Sequence, residues 1–188
     1  MSDRRTSILE AAVRVIAEHG VRGLRVAQLS AEAGVSTALI YYHFTDRDGI
    51  LRAALEYINE RAQDYTTPSA DSHPRTQLES MLLDELQDTD EVRTASVAWG
   101  ELRASAAFTP ALQEPLRAST AAWDRDVEDL ITRIPDAITT DPAATAARLT
   151  ALVEGLSERW HSGSIELARA RDLLRGAIEH EVGPRQPA

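Results

Sequence analysis

The chain contains no cysteine, which excludes disulfides, thiol nucleophiles and zinc–thiolate centres together. It also lacks lysine: its twenty non-histidine basic side chains are all arginine, a compositional trait that carries no mechanism by itself. No apolar run approaches the roughly 20 residues a membrane span needs. The opening MSDRRTSILEAA has no signal-peptide h-region, because helical patterning starts almost at once. A soluble cytoplasmic protein with no membrane partner is the expectation. Aromatics are scarce, with only 2 Phe, 3 Trp and 4 Tyr in 188 residues. What is present suffices for a globular protein of one or two small domains, since 43% of the residues are hydrophobic.

Charge is unevenly spread within a net of −10. Residues 1–55 carry seven arginines against six acids, and residues 56–188 carry thirteen against twenty-four. An acidic body repels a polyanion, whereas a near-neutral head can approach one. The difference suggests two modules with different partners.

The periodicity is helical throughout, and no strand pattern or internal repeat is visible. In TSILEAAVRVIAEHG, Ile8, Leu9, Ala12, Val13 and Ile16 share a face and the segment stops at Gly20. A short helix is expected over residues 26–33, ended by Gly34. Another follows over 37–44, with Ser36 as N-cap. A fourth starts after Asp46, with Ile50, Leu51, Ala54, Leu55 and Ile58 on one side. TTPSADSHP (66–74) and PDAITTDP (135–142) read as linkers. Three helices lie between them and two follow. The expected fold class is all-α with about nine helices: a three-helix N-terminal head over residues 1–48 and a helical body over 49–188.

Three of the nine aromatics stand within Tyr41-Tyr42-His43-Phe44. Helix, glycine turn and helix within about twenty residues form a helix-turn-helix. Ser30 supplies a small residue where the two helices cross, and Gly34 supplies the positive φ of the turn. Leu29, Val35, Ile40 and Phe44 fill the small core. Thr37, Ala38, Tyr41, Tyr42 and His43 are then left on the outer side. Phenol hydroxyls and an imidazole N–H suit phosphates, and an aromatic ring suits a thymine methyl. The alternative is that the tyrosines and His43 pack against neighbouring helices.

The run GVSTALIYYHFTDRDGIL resembles the recognition helix of the TetR (tetracycline-repressor-like) family, in Gly34, Val35, Ser36, Ile40, Tyr41, His43, Phe44 and Arg47. The resemblance covers about residues 6–52, including the opening ILEAAVRVIAEHG. It implies a homodimeric regulator, most simply a repressor, that binds double-stranded palindromic operator DNA and is released by a small-molecule effector. It implies that Thr37, Ala38, Leu39 and Tyr42 reach bases and that Tyr41, His43 and Arg47 hold phosphates. Arg25, Val26 and Ser36 complete the candidate DNA-binding set. Three positions depart from the family pattern. Arg25 stands where a threonine cap is usual, and offers a guanidinium to phosphate instead. Leu39 is apolar where some relatives place a polar base reader. Gly49 replaces a glutamate of a capping box. Arg4 and Arg5 open the first helix, where positive charge opposes the macrodipole, and suit a basic arm near DNA.

The last two helices are similar to those of the BetI-like C-terminal subfamily. The resemblance implies a dimer seam, for which the stripe Leu149, Leu152, Val153, Leu156, with Leu174 and Ile178, is the candidate and Gly155 permits close approach. The same stripes could instead bury within their own chain. For the effector, Trp99, Leu102, Arg103, Leu116, Thr120 and Trp123 are the candidate lining, although tryptophan is also ordinary core material. The acidic body favours a neutral or cationic ligand. No cofactor, metal or catalytic residue is expected. A single Glu158-x-x-His161 is half of what a di-iron site requires, and no nucleophile triad or phosphate loop stands out. A second rival is a ligand-binding or adaptor protein that retains the helix-turn-helix only as a scaffold, but the outward Tyr41, Tyr42, His43 and Arg47 argue against it.

Overall fold

The structure, a computed structural model, describes residues 3–66 and 73–184, so most of the first expected linker lies outside the described residues. Among those residues there are nine helices and no strand: α1 (Asp3–Gly23), α2 (Val26–Ala33), α3 (Thr37–His43), α4 (Arg47–Thr66), α5 (Pro74–Leu83), α6 (Asp90–Ala106), α7 (Pro110–Thr132), α8 (Pro142–His161) and α9 (Leu167–Val182). The chain divides into two compact units. The first runs to Ala62 and adds Arg93–Ala118; the second comprises Gln63–Val92 and the chain from Ser119 onward.

The first unit has one apolar core. Ile8, Leu9 and Ile16 of α1, Leu29 of α2, Ile40 of α3 and Ile50, Leu51 and Leu55 of α4 are all at most 1% exposed, and Ala98 and Leu102 of α6 join them. These are the α1 and α4 stripes expected from the 3.6-residue period. One boundary differs. α1 does not stop at Gly20 but bends there (φ 70°, ψ 168°) and resumes to Gly23. Glycine tolerates that φ, and the buried Val21 and Leu24 keep the next turn packed.

The second unit forms around α5, the later part of α7, α8 and α9, with Leu78, Leu82, Val127, Leu130, Leu149, Val153, Leu174 and Ile178 in its core. Side chains close its helix ends. Arg171 donates to the carbonyls of Leu83 (2.7 Å) and Leu86 (2.5 Å) past the end of α5. The buried Arg75 donates to Gly183 O at 2.6 Å and to Glu79 at 2.9 Å, tying α5 to the end of α9. Arginine suits both tasks, because its fixed fork satisfies several acceptors at once.

Candidate nucleic-acid interface and effector region

The α2–α3 turn is built from local chemistry. Gly34 takes φ 63°, ψ 35°, its N–H bonds to Ala31 O (3.3 Å), and Val35 N–H reaches Ser30 O (3.1 Å). A Cβ at Gly34 would meet nothing within 4 Å, so the requirement is the backbone angle and not space. The Ser30 hydroxyl donates to the Val35 carbonyl across the turn. Ser36 caps α3 by accepting the Leu39 N–H at 3.2 Å. Past α3, Asp46 Oδ1 accepts the Gly49 N–H at 2.7 Å. The forward half of a capping box therefore survives without the glutamate that Gly49 replaces.

With the turn so fixed, α3 has two unlike faces. Ile40 is fully buried and Phe44, just beyond the helix, is 4% exposed. On the other face Tyr42 is 82% and Tyr41 54% exposed. Thr37, Ala38 and Ser36 are exposed, while Leu39 and His43 are half-buried. The His43 ring meets Tyr42 edge-on, with centroids 5.2 Å apart. The Arg5 guanidinium lies 5.5 Å from the centre of the Phe44 ring, so this residue of the expected basic arm sits against the base of the recognition helix. At the start of α2, Arg25 is exposed and makes no side-chain cap, and Val26 packs against the core. Arg47 is placed differently from its neighbours. Its guanidinium is turned onto the head's own backbone, donating to Leu24 O (3.2 Å) and to Val21 O.

Of the six candidate effector residues, Trp99, Leu102, Arg103 and Leu116 belong to the first unit, and Thr120 and Trp123 to the second. Leu102 and Leu116 are core residues. Trp99 donates from Nε1 to Asn59 Oδ1 of α4 at 3.1 Å. Arg103 stacks on the Trp99 ring, 4.3 Å from its centre. Trp123 packs on the core of the second unit. Trp160 is 8% exposed and lies against His161, centroids 4.3 Å apart. Among the described residues no three His, Asp or Glu side chains converge as a metal site, and no helix is long and apolar enough to cross a membrane.

For the candidate seam, Leu149, Val153, Leu156, Leu174 and Ile178 are at most 3% exposed within their own chain. Their stripes are the face on which α5 and the later part of α7 pack, so they form this unit's core. Leu152 is half-buried at its edge. The outward row of α8 is instead Ala143, Ala147, Ala151 and Gly155, all exposed at four-residue spacing. On α9, Leu173 and Gly176 face outward.

Comparison with known proteins fits this geometry. Residues 8–62 match the bacterial regulatory proteins of the tetR family, and residues 74–183 match the C-terminal domain of BetI-type transcriptional repressors. The chain belongs to the TetR family. A Rhodococcus sp. crystal structure, described as a TetR-family transcriptional regulator, is 47% identical with a TM-score of 0.90, over 97% of this chain and all of that one. A transcriptional regulator from Saccharomonospora viridis, solved in complex with choline, is 25% identical with a TM-score of 0.87, over 98% of this chain and all of that one. The HTH-type transcriptional regulator BetI of Burkholderia mallei is 25% identical over 97% of this chain and 95% of its own length. This TetR-family chain is accordingly a transcriptional regulator with a helix-turn-helix DNA-binding head, and its relatives are regulators, not enzymes.

Sequence reasoning passed over one buried acid of this TetR-family chain. Glu85, just past α5, is half-buried, with its carboxyl set against Tyr65. Burial pushes its pKa up to about 7, against the pull of the Tyr65 hydroxyl that donates to it at 3.5 Å, and Asp84 beside it adds to the rise. The same burial, with Glu85 nearby, pushes the Tyr65 phenol well above its ordinary range. Within Asp84-Glu85-Leu86-Gln87-Asp88 this acid reads as one of a solvated run, and only Leu86, which is fully buried, hints otherwise.

Proposed function

We propose that this chain is a ligand-responsive repressor that binds a palindromic operator as a homodimer in the cytoplasm and is released by a small molecule. The observation that carries the reading is the outer face of α3: two exposed tyrosines beside exposed Thr37 and Ala38, on a helix whose other face is locked into the core. Large aromatics left in water on a seven-residue helix need a partner, and a duplex groove supplies one. Thr37, Ala38, Leu39 and Tyr42 read base edges. Tyr41, His43 and Arg25 hold phosphates. Residues 1–48 act as the reading head and 49–188 carry effector binding and dimerisation. The dimer closes on the outward faces of α8 and α9, through Ala147, Ala151, Gly155 and Leu173, with Leu152 at the edge. Two heads then meet half-sites about 34–36 Å apart, or a multiple of that distance.

The effector is a small organic cation in this reading. Choline in the S. viridis relative supports it, as does the acidic body. The test is a mobility shift and footprint on the intergenic DNA upstream of the gene, repeated with choline added. A two-fold symmetric footprint that choline weakens supports the whole reading. An asymmetric footprint refutes the homodimer, and no shift at any salt concentration refutes operator binding.

A further inference from the structure

Helix α6 reaches two other helices of the first unit at once. Trp99 bonds to Asn59 on α4, and two residues later Glu101 Oε2 accepts the backbone N–H of Val21, on α1, at 3.2 Å. Two residues turn a helix by about 200°, so α6 sends these groups to opposite sides. Arg47 closes the circuit from α4 to α1, donating to the carbonyls of Val21 and Leu24. Val21 is thus held by its N–H from α6 and by its carbonyl from α4. The bend at Gly20 adjoins this point: a Cβ there would stand 2.9 Å from Glu101 Oε2, at a φ of 70°. Val21 is 2% exposed with the carboxylate in place, although Glu101 itself lies at the surface. α2 begins at Val26, only five residues on, and carries α3 behind it.

We propose that Glu101 is a positioning residue for DNA reading. By holding the Val21 N–H it sets where α2 and α3 start with respect to α6, so a displacement of α6 passes to the recognition helix through this bond without first moving α4. The proposal rests on the reading that the outer face of α3 binds operator.

Three variants test it on the footprinted DNA fragment: Glu101→Ala, which removes the acceptor; Glu101→Gln, which keeps a carbonyl oxygen; and Gly20→Ala, whose methyl crowds the carboxylate and also strains the bend at φ 70°. Glu101→Ala weakens operator binding roughly tenfold at fixed salt, within the range of ordinary couplings between sites. The slope of log affinity against log salt stays that of the parent, because no phosphate contact is lost. Glu101→Gln stays near the parent, and Gly20→Ala falls with Glu101→Ala. Hydrogen exchange at the Val21 amide quickens in Glu101→Ala and not in Glu101→Gln, with helical circular dichroism the same in all. A parent that binds while Glu101→Ala binds equally well overturns the positioning role alone. So does a Glu101→Gln that fails as badly as the alanine, or a changed salt slope, since either makes Glu101 a matter of charge. A parent that binds no fragment overturns the operator reading and this proposal together.

Discussion

Replacing Glu85 by glutamine should flatten the pH dependence of stability. The carboxyl titrates near 7 in the folded chain against 4.5 unfolded, because burial penalises its charged form more than the Tyr65 hydroxyl relieves it. Between those values the folded state binds more protons than the unfolded one, so stability falls as pH rises. This group's contribution is fully present below about pH 4.5 and is lost as pH passes through about 7. Moving the carboxyl from 4.5 to about 7, at about 1.36 kcal/mol per pH unit, amounts to about 3 kcal/mol between pH 4 and 8. Glutamine matches the protonated acid in size, still accepts from Tyr65, and has no charge to desolvate. Urea unfolding of both proteins at pH 5 and pH 8, at one fixed protein concentration and followed by tryptophan fluorescence, checks it. The parent should lose about 2.5 kcal/mol more than Glu85→Gln between these two conditions, because part of the effect is already spent at pH 5. Parallel pH curves would refute the assignment of a desolvated carboxyl at this site.

Other perturbations probe the head and the seam. Tyr41→Phe should weaken operator binding by roughly 1.5–3 kcal/mol, the worth of a hydrogen bond to a charged group, with circular dichroism unchanged; equal affinity at fixed salt counts against a phosphate contact. Ile40→Ala, at a fully buried position, should cost about 2–5 kcal/mol of stability, read from the shift in denaturation midpoint. Ala151→Arg places a long charged side chain on the outward row of α8, away from the core. Sedimentation should then show a monomer that is still helical and no longer binds operator, and an intact dimer would move the seam elsewhere.

Several features of the head were legible because their causes are local. Gly34 needs one backbone angle, Ser36 caps three residues ahead, and Ile40 and Phe44 fall one helical turn apart. The placements of Arg47 and Glu101 were not legible. Each bonds to backbone groups of a distant segment, and backbone carbonyls and N–H groups are alike at every position, so no residue type marks the partner. At Gly20 a stop and a bend look alike in the sequence, because the glycine announces the angle but not the buried Val21 and Leu24 that continue beyond it. The stripes of α8 and α9 pose another problem. Periodicity shows that Leu149, Val153, Leu174 and Ile178 face something apolar, but it is blind to whether that surface belongs to the same chain. Glu85 was invisible because its burial against Tyr65 is a property of the folded packing and not of the acidic stretch around it.

The outward row of α8, Ala143, Ala147, Ala151 and Gly155, has an entropic consequence. A long side chain surrenders as much as about 1.5–2 kcal/mol of rotamer freedom when a surface closes over it, whereas alanine and glycine surrender none. Whatever docks on this helix freezes nothing along that row. Its backbone can also come close, since nothing lies within 4 Å of a Cβ built at Gly155. Association there can be broken and re-formed at little conformational cost, which suits the α8 face of the proposed dimer.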